Sequence, residues 1–465
     1  MMRDPLSSET TETSEMSERI EATGTTGLAE TTASTAGPVT RRKLFAYTGA
    51  VGAGGLVVGG AASALARSSS SSPAKSATGS GSGSESGPEP ESAAASTAIT
   101  GDEQLAFYSA HQPGIAAPVQ AQGWLTAFDL KPGTTVAHVR GLMQQWTAIA
   151  ASAMAGRSLP ENDDAMAYGR GPGALTVTVG VGASLLTKLG LGHEIPEALA
   201  PLPKFLGDDL DPAASDGDLV VLVAANDGLV AVHALRAIQR SAAAAAVTQR
   251  WQLNGFGEAS GVMPSPSATP RNLMGQLDGT GNPRQGTAAF EQTVYVPSDG
   301  APAWMRGGSY LVYRRIRMLL NDWDALGRSA QEAVIGRDKL TGAPLSGGGE
   351  FTAPDYEAFT PAGALLIPAG AHIRQASSES NSGATILRRP FSYYNGQLSD
   401  GSPDAGLMFL AFQADPATGF TVIQQRLSGA DSLGTFIKHE ASGLFAVLPG
   451  CEVGGYLGQA LLEGT

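Results

Sequence analysis

An internal repeat of strand and helix patterns constrains the fold of this chain more than any other feature. Residues 122–128 alternate like a strand, and a helical pattern follows over 135–155. About 186 residues later, 308–313 shows the same alternation, and a helix is predicted from near Leu319. A chain built twice from one unit is restricted to folds in which that unit packs against its own copy.

A second pair of segments repeats with nearly the same offset of about 188 residues. Each copy has an apolar strand, a turn, a helix and a final strand, at 218–225, 226–228, 229–241 and 247–255, and again at 406–414, 415–416, 419–427 and 444–448. Strands and helices that alternate with antiparallel hairpins predict an α+β fold of two tandem ferredoxin-like units. Chance similarity between two α+β segments is the alternative.

The first 100 residues lack the composition of a folded domain. Residues 1–40 contain no aromatic side chain and form a predicted disordered acidic extension, and 67–100 form a linker of Ser, Gly, Ala and Pro. The globular part is expected to begin near residue 101. We predict an N-terminal ferredoxin-like unit over 101–262 and a C-terminal unit over 263–465.

A candidate export signal lies between these segments, over 41–66. Arg41-Arg42 precedes an uncharged, weakly apolar stretch that ends in Ala64-Leu65-Ala66. A twin arginine, such a stretch and an A-x-A site are typical of a Tat-type signal, so we expect a secreted or extracytoplasmic protein. A membrane helix that remains as an uncleaved anchor is the alternative, although six glycines make that stretch a poor lipid-facing helix.

Charge and cysteine content exclude several classes of protein. The net charge is −13 and the pI is about 5.0, which argues against a nucleic-acid partner, since binding phosphates requires a basic surface. The single cysteine, Cys451, cannot form an intramolecular disulfide and is expected to be a buried, inert thiol. Cysteine and histidine spacings typical of zinc or iron–sulfur sites are absent from the sequence.

One carboxylate, Asp278, lies in a glycine-rich turn that reads Gly-Gln-Leu-Asp-Gly-Thr-Gly-Asn-Pro over 275–283. Gly275, Gly279 and Gly281 are predicted to take positive φ angles and to let a flat ligand approach closely. An acid held in this way can act as a general acid/base beside a bound cofactor. An ordinary Asp-Gly turn is the structural alternative.

Two later segments carry further candidates. His372 follows the strand-like run 365–367 and a Pro-Ala-Gly turn, so its ring can face a cofactor without steric hindrance. Arg388 and Arg389 follow the apolar residues 385–387, where a guanidinium can bind peroxide or a carboxylate. Of the six histidines, His439 is expected to be solvated because it lies beside Glu440.

With these segments in order, the chain resembles the dye-decolorizing peroxidases. Within that family it is most similar to the branch that includes the secreted haem peroxidase/deferrochelatase of bacterial iron uptake. The resemblance extends from Phe107 to the C-terminus. It rests on the segments at 107–115, 272–280, 309–312, 314–318, 335–337, 371–374 and 387–389.

This resemblance implies two ferredoxin-like units of the dimeric α+β barrel type that enclose a pocket for haem b. It implies His372 as the axial iron ligand and Asp278 as the distal acid/base. The distal arginine falls on Arg388, with Arg389 as the fallback, and both are counted as haem-binding. The residues expected to line the haem face beside Asp278 are Gly279, Thr280 and Gly281.

The chain departs from the family pattern at a few positions. Gln276 and Leu277 stand where the family has Phe and a basic or polar residue, and 375–379 replaces an Asn-Pro-Arg stretch of the iron-uptake branch. The carboxylate that holds the second nitrogen of His372 is not evident from the sequence, and Asp404 and Asp415 are the candidates. The aromatic residues that could relay electrons to the surface are Tyr393, Tyr394, Trp304 and Trp323.

The function expected from the resemblance is a haem-dependent peroxidase. It would reduce hydrogen peroxide and oxidise dyes, phenols or other bulky organic donors in one-electron steps. A deferrochelatase that releases iron from haem, acting with iron-uptake components, is the alternative, and a secreted binding domain that has lost haem is a third interpretation. A homo-oligomer is expected.

Overall fold

The computed structural model describes residues 101–160, 163–245, 247–259, 263 and 268–464. The predicted extension, export signal and linker at 1–40, 41–66 and 67–100 lie outside the described residues. So does most of the stretch around the predicted boundary at 262/263, which stays a prediction. None of the helices in the described ranges is long and apolar enough to cross a membrane.

The described residues of the N-terminal half form four strands and three α-helices in the order of a ferredoxin-like unit. In chain order they are β1 (Gln122–Leu130), α1 (Val136–Met154), β2 (Thr176–Val181), α2 (Ala183–Lys188), β3 (Leu219–Ala225), α3 (Gly228–Ala244) and β4 (Val247–Phe256). The strands lie in the order β2-β3-β1-β4, and all neighbours are antiparallel. The Asp227 carboxylate caps α3 by accepting hydrogen bonds from the first turn, as its place in the predicted turn requires.

The C-terminal half repeats this order with longer connections. Its elements are α4 (Ala288–Val294), β5 (Ser309–Met318), α5 (Leu320–Asp324), α6 (Arg328–Ile335), α7 (His372–Gln375), β6 (Leu387–Arg388), β7 (Phe391–Gln397), β8 (Pro403–Gln413), α8 (Phe420–Ala430), β9 (Ile437–Val447) and α9 (Gln459–Glu463). Strands β9, β5, β8 and β7 lie side by side and are antiparallel. The predicted repeat of one α+β unit is therefore confirmed.

Two short seams join the halves into a closed ring of strands. Gly180 and Val181 of β2 pair with Val447 and Ala446 of β9. At the opposite seam, Phe256 of β4 pairs with Ser392 of β7. Because β5 also pairs with β8, the sheet closes on itself.

Strand alternation separates an inner core from an outer face. The inside of the ring is filled by apolar and aromatic side chains from both halves, among them Leu125, Leu222, Tyr313, Phe391 and Phe445. Residues on the other face of each strand point toward the helices. On β5 these outward residues include Arg314, Ile316 and Met318, and they lie where the C-terminal helices leave a cavity.

Candidate active site

His372 is the first residue of the short helix α7. The strand predicted over 365–367 is absent, and only an isolated bridge between Phe359 and Leu365 is formed there. The His372 Nδ1 atom lies 2.6 Å from Asp431 Oδ2. Because this bond occupies Nδ1, the ring leaves Nε2 free of hydrogen-bond partners in the described part of the chain and available to a ligand in the cavity that it lines.

Asp431 is fixed where α8 ends. Its Oδ1 accepts the Leu433 N–H at 2.9 Å, which leaves Oδ2 for the histidine. The Ser432 N–H donates to Gly370 O at 2.8 Å, and a Cβ at Gly370 would clash with Ser432 Oγ unless that hydroxyl moved. Burial lowers the pKa of His372, but the Asp431 carboxylate outweighs this effect and raises it above its ordinary value.

Asp431, rather than Asp404 or Asp415, is thus the partner of His372, and both earlier candidates were wrong. Asp404 pairs with Arg315 at 2.6 Å. Asp415 accepts hydrogen bonds from Ala417 and Thr418 in the turn before α8.

Asp278 lies at the end of a small hairpin in the glycine-rich turn. Its N–H donates to Pro270 O at 2.8 Å, and Arg271 bridges Leu277. Gly275 and Gly279 have φ angles of 75° and 136°, as the sequence predicts. Gly281 does not adopt a positive φ, so that part of the prediction was wrong.

The two adjacent arginines, Arg388 at the end of β6 and Arg389 directly after it, have different surroundings. Arg388 Nη1 lies 2.8 Å from Asp278 Oδ1, and both side chains line the cavity. Arg389 is 2% exposed and donates to Gly114 O and Gln120 Oε1 in the N-terminal half. The fallback assignment of the distal arginine to Arg389 therefore does not fit the geometry, and Arg389 does not line the cavity.

A cavity of about 680 Å³ brings the sequence-predicted residues together. His372, Asp278 and Arg388 all line it, as do Gly279, Thr280 and Gly281. Its walls also carry apolar side chains that suit a flat, largely apolar ligand: Ile316, Met318, Leu407, Phe409, Ile423 and Leu427.

Arg337 adds a cation to the wall of the cavity. Its Nη1 donates to the carbonyl oxygens of Gly342 and Glu350 at 2.6 and 2.8 Å, and no carboxylate lies within ion-pair distance of it among the described residues. Burial lowers its pKa below the ordinary value. A half-buried guanidinium that has only neutral partners suits the carboxylate of a ligand. Arg337 belongs to the segment 335–337 that resembles the family, but the sequence alone indicated no role for it.

His439 is not solvated, contrary to expectation. It lies on β9 and lines the cavity. Its Nε2 atom is 3.4 Å from the side-chain amide nitrogen of Gln424. Burial, with a contribution from the nearby Arg314 guanidinium, lowers the pKa of His439 to about 3, so the ring is neutral. The alternation of β9 places His439 on the same face as Ile437, and that signal could have identified it.

The candidate relay residues differ in their surroundings. Trp323 is fully buried against cavity-lining residues, and Lys339 Nζ lies 5.9 Å from its ring centroid. Tyr393 is fully buried inside the ring of strands beside Arg315, whereas its neighbour Tyr394 is 55% exposed. Trp304 packs in the core of the N-terminal half.

Two other groups outside the cavity have structural explanations. Asp163, Asp164 and His233 lie together, but both Asp163 oxygens accept backbone hydrogen bonds, and Asp164 pairs with His233 and Arg240. Cys451 is partly buried, and burial raises the pKa of its thiol to about 11, consistent with an unreactive side chain.

Comparison with known proteins identifies the family. Residues 269–452 match the family described as "Dyp-type peroxidase, C-terminal", and residues 112–257 match "Dyp-type peroxidase, N-terminal". Together these ranges cover most of the chain. The protein belongs to the Dyp-type peroxidase family.

Individual relatives agree with this assignment. A dye-decolorizing peroxidase from Thermobifida fusca is 44% identical over 365 residues, which cover 77% of this chain and 84% of the relative. A deferrochelatase from Escherichia coli K12 is 36% identical over 378 residues, covering 78% and 88%. Among solved structures, a DyP-type peroxidase from Streptomyces coelicolor is 50% identical with a TM-score of 0.77, covering 78% of this chain and 98% of that chain. Ferric DtpA from Streptomyces lividans, also 50% identical, has a TM-score of 0.76 over the same shares.

Proposed function

We propose that this peroxidase works with haem b held in the cavity, where His372 Nε2 would bind the iron. The observation that carries the proposal is the convergence of His372, Asp278 and Arg388 on one cavity. The donor set fits the group: an imidazole nitrogen with no hydrogen-bond partner among the described residues, a carboxylate that orients the ring, and apolar walls. Bound haem would supply an iron centre that binds peroxide and takes part in electron transfer.

Asp431 tunes the histidine in this proposal. A carboxylate that accepts a hydrogen bond from Nδ1–H fixes the ring orientation and makes Nε2 a stronger donor to a metal. The side chain of Asp431 is only 3% exposed, so solvent does not compete for this hydrogen bond.

Asp278 and Arg388 are proposed to act together on hydrogen peroxide. Asp278 would accept a proton from one peroxide oxygen and return it to the other, the work of a general acid/base. Arg388 would place a fixed positive charge where negative charge develops on the departing oxygen. Their side chains are 12% and 27% exposed, so both charges lie largely out of water.

Arg337 is proposed to hold a carboxylate of the bound haem. A propionate would give this guanidinium the anionic partner that the described residues do not provide, and the electrostatic gain is larger in a partly desolvated site.

Organic donors too bulky for the cavity are proposed to deliver electrons at the protein surface. Tyr394, exposed and adjacent to the buried Tyr393, is the favoured entry point among the four aromatic candidates. Trp323 is disfavoured, because the Lys339 ammonium near its ring opposes the loss of an electron.

A deferrochelatase activity is the second candidate, supported by the Escherichia coli relative of that name. Iron-uptake components would then be partners. Recovery of intact protoporphyrin with released iron would support it, whereas rapid peroxide-dependent dye turnover would support the peroxidase role.

We further propose export by the Tat pathway and assembly as a homo-oligomer. Export rests on the Arg41-Arg42 motif and the stretch that follows it. Replacing both arginines by lysine should keep the protein in the cytoplasm in cell fractionation. Light scattering of the purified protein would test the oligomer.

An absorption scan before and after peroxide tests the proposed function most directly. We expect a strong Soret band in the wild type, dye oxidation only when peroxide is added, and loss of the Soret band in His372→Ala. Full haem loading and an unchanged spectrum in that variant would disprove the axial assignment.

A further inference from the structure

The short strand β6 pairs with β8 along one edge, and no other described strand pairs with its second edge. Leu387 and Arg388 lie opposite Phe412 and Ala411 of β8, and the following Arg389 N–H donates to Leu410 O at 2.9 Å. Because successive residues of a strand direct their backbone groups to alternate edges, the N–H and C=O of Arg388 point away from β8.

The side-chain amide of Asn282 pairs with both of these backbone groups. Its Nδ2 donates to Arg388 O at 2.8 Å, and its Oδ1 accepts the Arg388 N–H at 3.1 Å. The amide thus takes the place of a neighbouring strand. Only a group with a donor and an acceptor side by side satisfies both partners.

Asn282 also belongs to the turn that carries Asp278. Its own N–H donates to Gly279 O at 2.9 Å, while the Asp278 N–H is bonded to Pro270 O. Asp278 and Arg388 are therefore connected in two ways. Their side chains form an ion pair, and the turn that carries Asp278 is bonded through Asn282 to the Arg388 backbone.

We propose that Asn282 is the positioning residue that sets the spacing of Asp278 and Arg388. The inference rests on the proposed function, in which this pair acts on peroxide. Asn282 is half-buried and does not line the cavity, so it acts through the other two residues.

A second contact holds the same turn but does not reach Arg388. Thr280 Oγ1 donates to Glu350 Oε1 at 2.9 Å, and Thr269 Oγ1 donates to the same oxygen. This contact fixes the turn to the loop that follows α6. Of these two contacts, only the one made by the Asn282 amide connects the turn that carries Asp278 to Arg388.

Asn282→Asp provides a test with a distinctive pH dependence. A carboxylate at this position still accepts the Arg388 N–H but repels the Arg388 carbonyl oxygen. A protonated carboxyl donates to that oxygen and restores both bonds. We expect kcat/KM for peroxide to be about tenfold below wild type at pH 7, part of the factor that a placed proton carrier supplies. The ratio of variant to wild type should rise as the pH falls toward the ordinary carboxyl pKa of about 4.

Asn254→Asp is the matched control, since Asn254 is exposed on β4 and its side chain accepts a hydrogen bond only from Gln252 among the described residues. Its ratio to wild type should stay near one at every pH. A ratio for Asn282→Asp that is flat with pH, whether near one or uniformly low, would overturn the positioning role. Wild-type protein with no Soret band or no peroxide-dependent turnover would instead reject the proposed function, and the catalytic part of this inference with it.

Hydrogen–deuterium exchange at residue resolution gives a readout independent of activity. In Asn282→Ala, the Arg388 amide loses its acceptor and should exchange faster, while the Arg389 amide, bonded to Leu410 O, keeps its protection. Unchanged protection at Arg388 would contradict the proposal. Haem content and thermal unfolding, measured on both variants, distinguish a displaced Arg388 from a misfolded protein.

Discussion

The outer faces of the two ferredoxin-like halves differ in what covers them. In the N-terminal half, α1 and α3 pack directly on the strands, and Leu142, Trp146, Val177 and Val223 form part of one apolar core. In the C-terminal half, the corresponding face carries residues such as Arg314 and Phe409 and looks onto a cavity. One arrangement of strands thus supports a packed core in one copy and a cavity lined by the candidate site residues in the other.

The connections between strands account for the difference. Residues 131–175 link β1 to β2 and supply one long helix that covers the sheet. Residues 319–390 link β5 to β7 and supply short helices, long loops and β6 instead. His372, Arg337 and Arg388 all come from this longer connection. This connection therefore supplies three of the polar residues of the site, whereas Asp278 comes from the segment before β5 and Asp431 from the end of α8.

The largest effect should follow from removing the distal carboxylate. Asp278→Asn is expected to lower kcat/KM for peroxide by about 10²–10⁴-fold, the usual contribution of a general acid/base, with haem retained. Steady-state kinetics and the absorption spectrum test this together. Asp299→Asn, at an exposed position, should match wild type. An unimpaired Asp278→Asn would place the chemistry elsewhere.

A matched pair of isoleucines compares the two faces directly. Ile238 on α3 is fully buried, and Ile423 on α8 borders the cavity. Ile238→Ala should cost about 2–5 kcal/mol of unfolding free energy with an unchanged Soret band. Ile423→Ala should cost less, because its side chain already borders open space, yet shift the band. Denaturant unfolding measures the change in unfolding free energy, and absorption spectra measure the Soret band. Equal losses of unfolding free energy with equal spectra in the two variants would contradict the difference between the two faces.

Asp431→Asn should weaken haem retention or activity by about 10–100-fold, as is common for groups that orient metal ligands. The rate at which the variant loses haem to an acceptor protein measures haem retention, and steady-state kinetics measure activity. Asp404→Asn, at the position once considered for this role, should retain haem like wild type because Asp404 faces Arg315 inside the ring. The reverse ranking would contradict the assignment of Asp431.

The smallest effect concerns His439 and acid stability. Its pKa is about 3 in the folded protein against an ordinary value of 6.5, so the unfolded chain binds more protons between these limits. Stability should therefore fall as the pH drops through this window. In His439→Gln, unfolding free energies between pH 6.5 and 4 should fall less steeply. A slope equal to that of wild type would show that the ring is not buried in its neutral form.

The sequence predicted the strands and helices whose patterns repeat. The helix predicted over 135–155 is α1, and the strand predicted over 247–255 is β4. These elements are long, periodic and packed on one side, which gives local patterns a clear period. The strand predicted over 444–448 begins earlier, at Ile437, because polar residues at its start alternate less clearly.

The site was only partly accessible from sequence. Asp278, His372 and Arg388 lie in short segments that resemble a family, so they could be selected before the structure was known. Asp431 could not, because it lies 59 residues after His372 and meets it only through the packing of α7 against α8. Asn282 lies in the glycine-rich turn 275–283, yet its proposed role depends on the free edge of β6, which a local sequence pattern does not reveal.

Two adjacent residues, the last of β6 and the one after it, connect the cavity to the N-terminal half. Arg388 faces Asp278, and the next residue, Arg389, reaches through the protein to carbonyl groups of 114–118 in the N-terminal half. One peptide bond separates these two anchors. The contacts that hold the N-terminal segment 114–118 to the C-terminal half are therefore made by the residue directly after the one that faces Asp278.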